Sequence, residues 1–432
     1  MNQENTMKTY RVGLNIECMI DDVDVGASIT SITITRTLSI PFSHFKISLL
    51  VNPELLRFIR DIFSIEPTIK LTLRNSIEDN PNNQTHDIKT YKLLIITDIS
   101  IISQILQDIQ INSSLDAQSI TLDALPYDAV KIASETVNKI YTNKRLEDII
   151  HDNFNKVSIE TPFKNTDKIE QLVIPPMNKS KMIYYLDYYF GYTNSGTVYW
   201  FNDDDESRKE NDLIMFSPKE LSDYKLELLG VVHGNANEQV DVDLKSGDGK
   251  IKIHPVDAKL LFDDTRLRDS LLHSFRYVFV KHPEEQLYQL YQSNIEKLIN
   301  KDTLVDKKFK RTLPKDFHNN YNFYSTHSGL KTSNIPYDNW FCNTADLFNI
   351  STTLHGFVDT SLLIPGKLIN WKPKDINYLK YQGKFMMTTI IVTYRGHQYA
   401  TWGQTTEIVM ARSNAQYLEE EKTSTAENIR MA

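Results

Sequence analysis

Alternating hydrophobicity is the feature that most limits how this chain can fold. Apolar residues occupy every second position in three runs near the N-terminus, which are Val12 to Cys18, Phe45 to Val51 and Ile69 to Leu73. A period of two places successive side chains on opposite faces of a β-strand. Each run therefore predicts a strand with one face in a core, and the first part of the chain is predicted to be β-structure.

Other local patterns separate and follow these strands. Helical spacing of apolar residues in PELLRFIRDIF, after the start signals Asn52 and Pro53, predicts a helix. The polar run SIEDNPNNQTHD, residues 76–87, predicts an exposed loop. YKLLIITDISII then predicts a buried strand, and strand-like segments continue to about Leu122.

The pattern changes at Pro126, where two apolar stripes predict two helical segments. Their members are Val130, Ala133, Val137 and Ile140 in the first, and Leu146, Ile149, Ile150 and Phe154 in the second.

The most distinctive passage is IPPMNKSKMIYYLDYYFGYTNSGTVYWFNDDD, from Ile174 to Asp205. Asn178 or Ser180 can cap a helix, and Gly191 stands where a left-handed C-terminal cap is favourable. The composition of TVYWF predicts a strand. The three consecutive aspartates that follow lack the alternate spacing and the glycine of a calcium loop, so they are predicted to face water.

Nine aromatic residues in this passage could stack on bases or sugars. Helical and strand spacing is, however, more typical of aromatic residues in a core or an interface. The nine are Tyr184, Tyr185, Tyr188, Tyr189, Phe190, Tyr192, Tyr199, Trp200 and Phe201.

β-patterning returns at about Leu226. Val240, Val242 and Leu244 alternate opposite Ile251 and Ile253 across the turn KSGDG, which predicts a hairpin with Asp241, Asp243, Lys250 and Lys252 on its other, nearly neutral face. Residues 258–340 read as an insertion with helical segments such as EEQLYQLYQSNIEKLIN. A final β block spans about residues 349–412, and a polar tail follows.

Composition excludes several classes of protein. Of the 432 residues, 41% are hydrophobic and 24% are charged, as in ordinary soluble proteins. The formal charge of −8 argues against a nucleic-acid-binding surface. No apolar run is long enough to cross a bilayer, and the N-terminus lacks a signal-peptide core, so we expect folding in the cytoplasm.

Motifs for catalysis or metal binding are lacking in this sequence. The eleven histidines, among them His151 and His355, form no zinc motif, and GDGK, residues 247–250, lacks the spacing of a phosphate loop. Ser43-x-x-Lys46 is a chance match within a strand. Cys18 and Cys342 are predicted to be buried small hydrophobic residues. Paired acids (Glu284, Glu285, Glu419 to Glu421) have no visible pocket. We therefore predict no catalytic, cofactor-binding or metal-ligating residue.

Four segments resemble the baseplate hub proteins of contractile-tailed bacteriophages, a family related to the hub part of the type VI secretion spike protein VgrG. They are LEDIIHDNF, the passage from Ile174 to Asp205, GFVDTSLLIPGKLINW from Gly356 to Trp371, and YQGKFMMTTIIVTY from Tyr381 to Tyr394. Together they follow the order of parts of a hub over most of residues 1 to 412.

The resemblance implies a β-rich α+β fold with two related β-barrel-like tube domains, an intervening α/β domain and a partly helical insertion. The corresponding boundaries are residues 1–122, 123–215, 216–257 with 341–412, 258–340 for the insertion and 413–432 for a flexible tail. It further implies a homotrimer that joins a sixfold tail tube protein to a threefold central spike protein beside other baseplate proteins. DNA would pass through its lumen without specific binding, and no cofactor or membrane insertion is expected.

Two other functions remain open at this stage. A tail-associated cell-wall hydrolase is suggested by the aromatic cluster and the exposed acids. A carbohydrate-binding tail module is the other alternative.

Overall fold

A computed structural model of the chain describes most of the N-terminal half and parts of the C-terminal half. The described residues are 11–62, 68–80, 83–98, 100, 103–104, 107, 118–163, 166–193, 197–218, 221, 223–230, 242–243, 251–261, 276–281, 321–326, 347–355, 358–373, 382–396 and 402–413.

The described residues of the first β block include seven strands and the helix that follows Asn52. They are β1 (Arg11–Ile20), β2 (Val23–Asp24), β3 (Ile29–Thr37), β4 (Ile40–Val51), α1 (Pro53–Ile62), β5 (Thr68–Asn80), β6 (Asn83–Ile95) and β7 (Gln118–Pro126). The alternating runs become strands with buried inner faces, as predicted. The helix prediction is confirmed too, and the Asn52 side chain accepts a hydrogen bond from the backbone N–H of Leu55 at 2.8 Å.

The predicted loop over residues 76–87 is wrong. β5 and β6 continue as a paired hairpin, with Ser76 opposite His86 and Asn80 opposite Asn83. Only residues 81 and 82 separate the two strands. Backbone pairing across a hairpin is independent of side-chain polarity, so a polar run can extend a ladder that apolar residues have begun.

Four helices and five strands are described in the middle region. They are α2 (Tyr127–Ser134), β8 (Thr136–Lys144), α3 (Leu146–Asn153), β9 (Val157–Ile159), β10 (Ile169–Asn178), α4 (Lys179–Phe190), β11 (Val198–Phe201), α5 (Asp205–Glu210) and β12 (Leu213–Phe216). β8 pairs antiparallel with β10, and β12 lies between β11 and β9.

The prediction of two helical segments after Pro126 is only partly right. Helices α2 and α3 form, but Val137 and Ile140 lie in β8, where Ile140 is directly opposite Val173 of β10. Ile140 is 66% exposed and so does not continue the apolar stripe of α2. Pairing with a distant strand outweighs the local helical spacing here, as tertiary context commonly does.

The last described part is again mostly strand. It comprises β13 (Leu226–Leu228), β14 (Val242–Asp243), β15 (Ile251–Ile253), β16 (Asp257–Leu261), β17 (Arg276–Lys281), β18 (Tyr321–Thr326), β19 (Leu347–His355), β20 (Leu368–Trp371), β21 (Gly383–Gly396) and β22 (Trp402–Ser413). Val242 faces Ile253 and Asp243 faces Lys252, which confirms the described part of the predicted hairpin. Its KSGDG turn lies outside the described residues, as do the helical segment predicted within 258–340 and all of the predicted tail beyond Ser413.

One sheet joins the two β blocks. Its strand order is β14-β15-β13-β20-β21-β3-β4-β7-β6-β5-β1-β2, and β22, β19 and β16 continue from β21 as a branch. The blocks meet where β21 pairs antiparallel with β3, from Thr389 opposite Thr37 to Arg395 opposite Ser31. The β-rich α+β class is thus confirmed.

Three apolar clusters stabilise this arrangement. The largest lies on the inner face of the joined sheet and includes residues from both β blocks, for example Ile34 and Val392. The second fills the middle region around α3 and α4. The third is the apolar seam of Val198, Trp200, Phe216 and Ile364, which joins the middle region to the last block. None of the described helices is long and apolar enough to cross a lipid bilayer.

Candidate functional site

A buried arginine lies where the sheet, the middle region and the last β block meet. Arg36 follows Ile32 and Ile34 at alternate positions of β3, so its side chain points to the inner face of the sheet. Arg36 as a whole is only 3% exposed to solvent. A guanidinium in such a place needs hydrogen-bonding partners for its donors, because desolvation of an unpaired charge is very unfavourable.

Every nitrogen of the guanidinium has a partner. Nε donates to Ser43 Oγ at 2.8 Å, within the first β block. Nη1 donates to two backbone carbonyls of the last block, Thr360 O at 2.6 Å and Leu363 O at 2.9 Å. Nη2 donates to both carboxylate oxygens of Asp203, at 3.2 and 3.3 Å. One side chain therefore ties three parts of the chain together.

Asp203 is held from two further directions. Ser43 Oγ donates to Asp203 Oδ2 while it accepts from Arg36, which closes a ring of three hydrogen bonds. The Arg36 guanidinium also lies 5.5 Å from the ring centroid of Trp200, within the range of a cation–π interaction. Asp203 itself is 6% exposed. The geometry fixes the end of β11 against the inner face of β3.

Asp204 has a different role from its neighbour. Its carboxylate accepts from the backbone N–H of Ser207 at 2.9 Å and from Ser207 Oγ at 2.7 Å, so it caps α5. Its Oδ1 lies 4.0 Å from Nζ of Lys89, a buried residue on the inner face of β6. We refer to Arg36, Ser43, Lys89, Asp203 and Asp204 as the Arg36 cluster.

Burial dominates the electrostatics of the cluster. It raises the pKa of Asp203, against the opposing effects of Arg36 and Ser43. Burial acts to lower the pKa of Arg36, but Asp203 and other groups more than offset this, and the pKa lies above its ordinary value. With two cations and two carboxylates, the cluster has no net formal charge when all four groups are ionised.

The segment that offers carbonyls to Arg36 is itself tightly defined. Asp359 caps the short 3-10 helix Thr360–Leu362 by accepting from Ser361 N at 2.8 Å. Gly366 follows with a φ of 91° and donates its N–H to Met387 O at 2.7 Å. A Cβ at Gly366 would lie 3.0 Å from both Phe216 and Val198 of the seam. Glycine is therefore required here for both conformation and space.

Predictions for the aromatic passage are resolved in two ways. Asn178 caps α4 by accepting from Lys181 N at 2.7 Å, and Gly191 adopts a φ of 64°, as predicted. Four aromatic residues are buried in the second and third apolar clusters, so they are core residues rather than a stacking platform. They are Phe190, Tyr192, Trp200 and Phe201. Tyr184 is exposed.

The prediction that all three aspartates face water is wrong for Asp203 and Asp204. Only Asp205, in the first turn of α5, is exposed. Burial is possible because both carboxylates have specific partners. Asp203 contacts Arg36 and Ser43 from the first β block, and Asp204 contacts the adjacent Ser207 and the distant Lys89.

Asp187 is a third buried carboxylate in this passage, near the end of α4. It accepts from the backbone N–H groups of Tyr192 at 3.0 Å and Thr197 at 3.4 Å. Burial raises its pKa to about 6, although these hydrogen bonds act to lower it. The carboxylate holds the chain after α4 close to the start of β11.

The other sequence candidates are not brought together. Ser43 is buried against Arg36, whereas Lys46 is exposed on the other face of β4 and lies 3.8 Å from Asp123. Cys18 is fully buried, as predicted, and burial raises its pKa to about 12. His151 is exposed. The described part of the chain contains no group of three or more potential metal-binding side chains.

Some candidates lie outside the described residues. These are Cys342, the GDGK segment, Glu284, Glu285 and Glu419 to Glu421. The side chain of His355 lies outside them as well.

Sequence reasoning missed Arg36, Ser43 and Lys89. A signal was present, because ITSITITRT places Arg36 in the same alternate positions as Ile32 and Ile34. A charged residue in register with an apolar face indicates a buried partner. Because protein atoms already accept hydrogen bonds from the donors of Arg36, the Arg36 cluster holds parts of the chain together.

Comparisons with known proteins give matches among solved structures. No protein-family profile and no curated protein sequence matches the chain. The solved structures with partial similarity include tail proteins and a VgrG-containing complex.

Three individual structures illustrate the similarity. The 43 kDa tail protein of prophage MuSo2 from Shewanella oneidensis has a TM-score of 0.45 at 10% identity, covering 92% of this chain and 96% of that protein. The tail protein of Neisseria meningitidis MC58 has a TM-score of 0.45 at 8% identity, with 93% and 97% covered. A chain of the Francisella PdpA-VgrG complex has a TM-score of 0.42 at 10% identity, with 94% and 53% covered.

Proposed function

We propose that this protein is the trimeric hub of a contractile-tail baseplate, a structural rather than catalytic component of the virion. Three copies would join the sixfold tail tube to the threefold central spike and line the channel for DNA ejection. Its partners would be the tail tube protein, the central spike protein and other baseplate proteins. Assembly would take place in the host cytoplasm, without a cofactor and without membrane insertion.

One observation carries this proposal. The two β blocks lie edge to edge in one sheet, joined by β3 and β21, so a single chain holds two β units side by side. Three such chains would offer six β units to a sixfold tube, while retaining the threefold symmetry that a trimeric spike requires. We assign residues 1–122 and 216–257 with 341–412 to two barrel-like tube domains, and 123–215 to the domain between them.

The motif segments support the same reading. Asp203 lies near the end of the aromatic passage, and Thr360 and Leu363 belong to the GFVDTSLLIPGKLINW segment. All three residues accept hydrogen bonds from Arg36. The YQGKFMMTTIIVTY segment forms β21, which pairs with β3 beside Arg36. Segments that are distant in sequence thus have a common structural purpose, which is to hold the β units and the middle domain in a fixed arrangement.

The buried aromatic residues of the passage give no support to the hydrolase and carbohydrate-binding alternatives. These residues pack inside the clusters and offer no exposed ring for a sugar.

Native mass spectrometry and particle imaging test the proposal together. We expect a species of three times 50.1 kDa that forms rings with approximate sixfold symmetry on one face. A chain that remains monomeric at micromolar concentration would contradict the hub function. Clearing of a peptidoglycan zymogram by the same preparation would favour the hydrolase instead.

A further inference from the structure

Strands β8 and β10 of the middle region form a two-stranded ribbon with one buried face and one outward face. The buried face contributes Tyr141, Leu172 and Ile174 to the second apolar cluster, and the ribbon packs against α3 and α4. Side chains at the intervening positions point away from that cluster. We call the outward side the ribbon face and define it by its directly opposed pairs, which are Ile140 with Val173, Thr142 with Gln171, and Lys144 with Ile169.

An exposed apolar pair marks the ribbon face. Ile140 is 66% exposed and Val173 is 50% exposed, more than any other large apolar residue in the described part of the chain. Because the two residues lie directly opposite each other, their side chains form one apolar surface across the strands. Single exposed apolar residues are normal in soluble proteins, whereas contiguous ones are characteristic of interaction sites.

The charged groups of β8 are engaged by α3. Lys144 is the one charged member of the ribbon face, and its Nζ lies 3.6 Å from Asp152. Lys139, the other lysine of β8, donates to Asn153 Oδ1 at 3.2 Å. The ribbon face therefore carries no unpaired charge, and this favours an uncharged partner over an acidic or a basic one.

Strand β8 also has a free backbone edge. Among the described residues it pairs with β10 alone, so its other edge presents N–H and C=O groups that have no strand partner. Proteins commonly protect such edges with proline or a bulge. β10 has Pro175, Pro176 and a register shift after Ile174, whereas β8 has nine residues with neither device. An extended segment can therefore add to β8 as a third strand.

We propose that β8 and the ribbon face bind an extended, uncharged segment of another baseplate protein, an inference that rests on the proposed hub function. Backbone hydrogen bonds along the edge of β8 would hold this segment. Its apolar residues, at every second position, would pack beside Ile140 and enlarge the apolar surface that Ile140 forms with Val173. The partner is thus defined as a strand with one apolar face and little charge.

A second copy of this chain is the competing occupant. Two copies that met through their β8 edges would be related by a twofold axis, because both would use the same surface. A threefold ring instead requires two different surfaces on each subunit. The symmetry of the proposed hub therefore favours a different protein at this edge.

Thiol accessibility in two states identifies the occupant. Ile140→Cys places a thiol on the ribbon face, and Lys209→Cys places a control thiol on α5, where the native side chain is 68% exposed. Each variant is treated with a maleimide as the isolated trimer and in tails assembled with it. The parent protein measures the background from Cys342, since Cys18 is buried with a pKa raised to about 12.

Protection is expected only in the assembled tails. In the isolated trimer Ile140→Cys should react as fast as the control, and in tails at least about tenfold more slowly, because thiol reactivity depends on access. Protection already in the trimer would mean that this chain or a second copy covers β8, and equal reaction in both states would mean that nothing covers it. Either result overturns the proposal. A parent protein that forms no trimer would instead refute the hub function, and this inference with it.

Substitution of the apolar pair provides a second measurement. Ile140→Thr with Val173→Thr keeps β-branched side chains, so the ribbon and the trimer should form as in the parent. The yield of complete tails per trimer should fall at least about tenfold, because the partner loses its apolar contact. Ile88→Thr is the matched control, since it replaces an exposed isoleucine on β6. An unchanged yield with the double variant, or an equal fall with the control, would contradict the proposal.

Discussion

Two of the contacts that join the parts of this molecule differ in kind: one is a backbone ladder and the other is a cluster of side chains. The β3–β21 joint unites the β blocks through seven pairs of residues in a backbone ladder. The Arg36 cluster unites the sheet, the middle region and the last block through side chains. A ladder tolerates any residue that remains extended and keeps its N–H, whereas the cluster depends on particular charges at particular positions.

The contrast has consequences for substitution. Residues of the ladder contribute mainly through their backbone, so changes to its outward-facing side chains should be mild. Residues of the cluster contribute through desolvated side-chain atoms, so removal of one partner leaves another buried and unsatisfied. Each prediction below tests one side of this contrast, in decreasing order of expected effect.

The largest effect is expected from Asp203→Ala. This change leaves the Arg36 guanidinium buried without its carboxylate, which should lower the free energy of unfolding by about 3 to 5 kcal/mol. Urea or thermal denaturation measures the loss. Asp205→Ala is the matched control, because it removes the same group from an exposed position and should change the free energy by less than about 0.5 kcal/mol.

A double-mutant cycle with Arg36→Met sharpens this result. If the pair acts as a unit, the two losses should fail to add by about 1 to 3 kcal/mol. Strict additivity would show that Arg36 and Asp203 contribute to stability independently of each other.

Asp187 tests a buried carboxylate that is held by backbone N–H groups instead of an arginine. Its pKa is raised to about 6, so the native state binds the proton more tightly than the unfolded chain. This tighter proton binding adds at most about 3 kcal/mol to the free energy of unfolding. The contribution is complete below about pH 4 and is lost as the pH rises through about 6. Asp187→Asn should flatten that part of the stability profile. Identical profiles for the two proteins would show that Asp187 does not titrate in this window.

Gly366→Ala tests the backbone of the segment that binds Arg36. A positive φ and close contacts with Phe216 and Val198 both oppose a methyl group there. We expect a loss of about 2 kcal/mol in the free energy of unfolding. Gly396→Ala is the control, since its Cβ would lie 3.6 Å from Trp402 in ordinary contact. Equal losses would mean that the seam can relax around the methyl group.

The smallest effect is expected from Thr393→Val on the outer face of β21. The side chain is outside the core and the backbone ladder is unchanged, so stability should shift by less than about 0.5 kcal/mol. Thr393→Pro, by contrast, removes an N–H from a central strand and should cost about 3 kcal/mol or more. A large loss with valine would show that the hydroxyl groups themselves stabilise the joint.

Local patterns predicted much of the fold. Strands with an apolar alternate face, the helix after Asn52 and the caps of α4 were predictable because neighbouring residues determine them. Residues 76–87 and β8 were not, because their strand state depends on pairing with partners elsewhere in the chain. The core role of the aromatic passage followed from its spacing.

The sequence indicates only part of the Arg36 cluster. A charged residue in register with Ile32 and Ile34 marks Arg36 as unusual, but its charged partner, Asp203, is more than 160 residues away in sequence. An isolated stretch of three aspartates has the composition of a solvated loop. Its burial depends on a cation that local reasoning cannot supply.

By itself, the sequence determined the β-rich class, the order of the β blocks and the middle region, and the resemblance to tail hubs. Periodicity and caps are local properties, and they act on residues close in the chain. Only the tertiary structure decided that β3 and β21 are neighbours and that Asp203 and Asp204 are buried while Asp205 is not. Burial of a charge depends on which distant groups surround it, and that is determined when the chain folds.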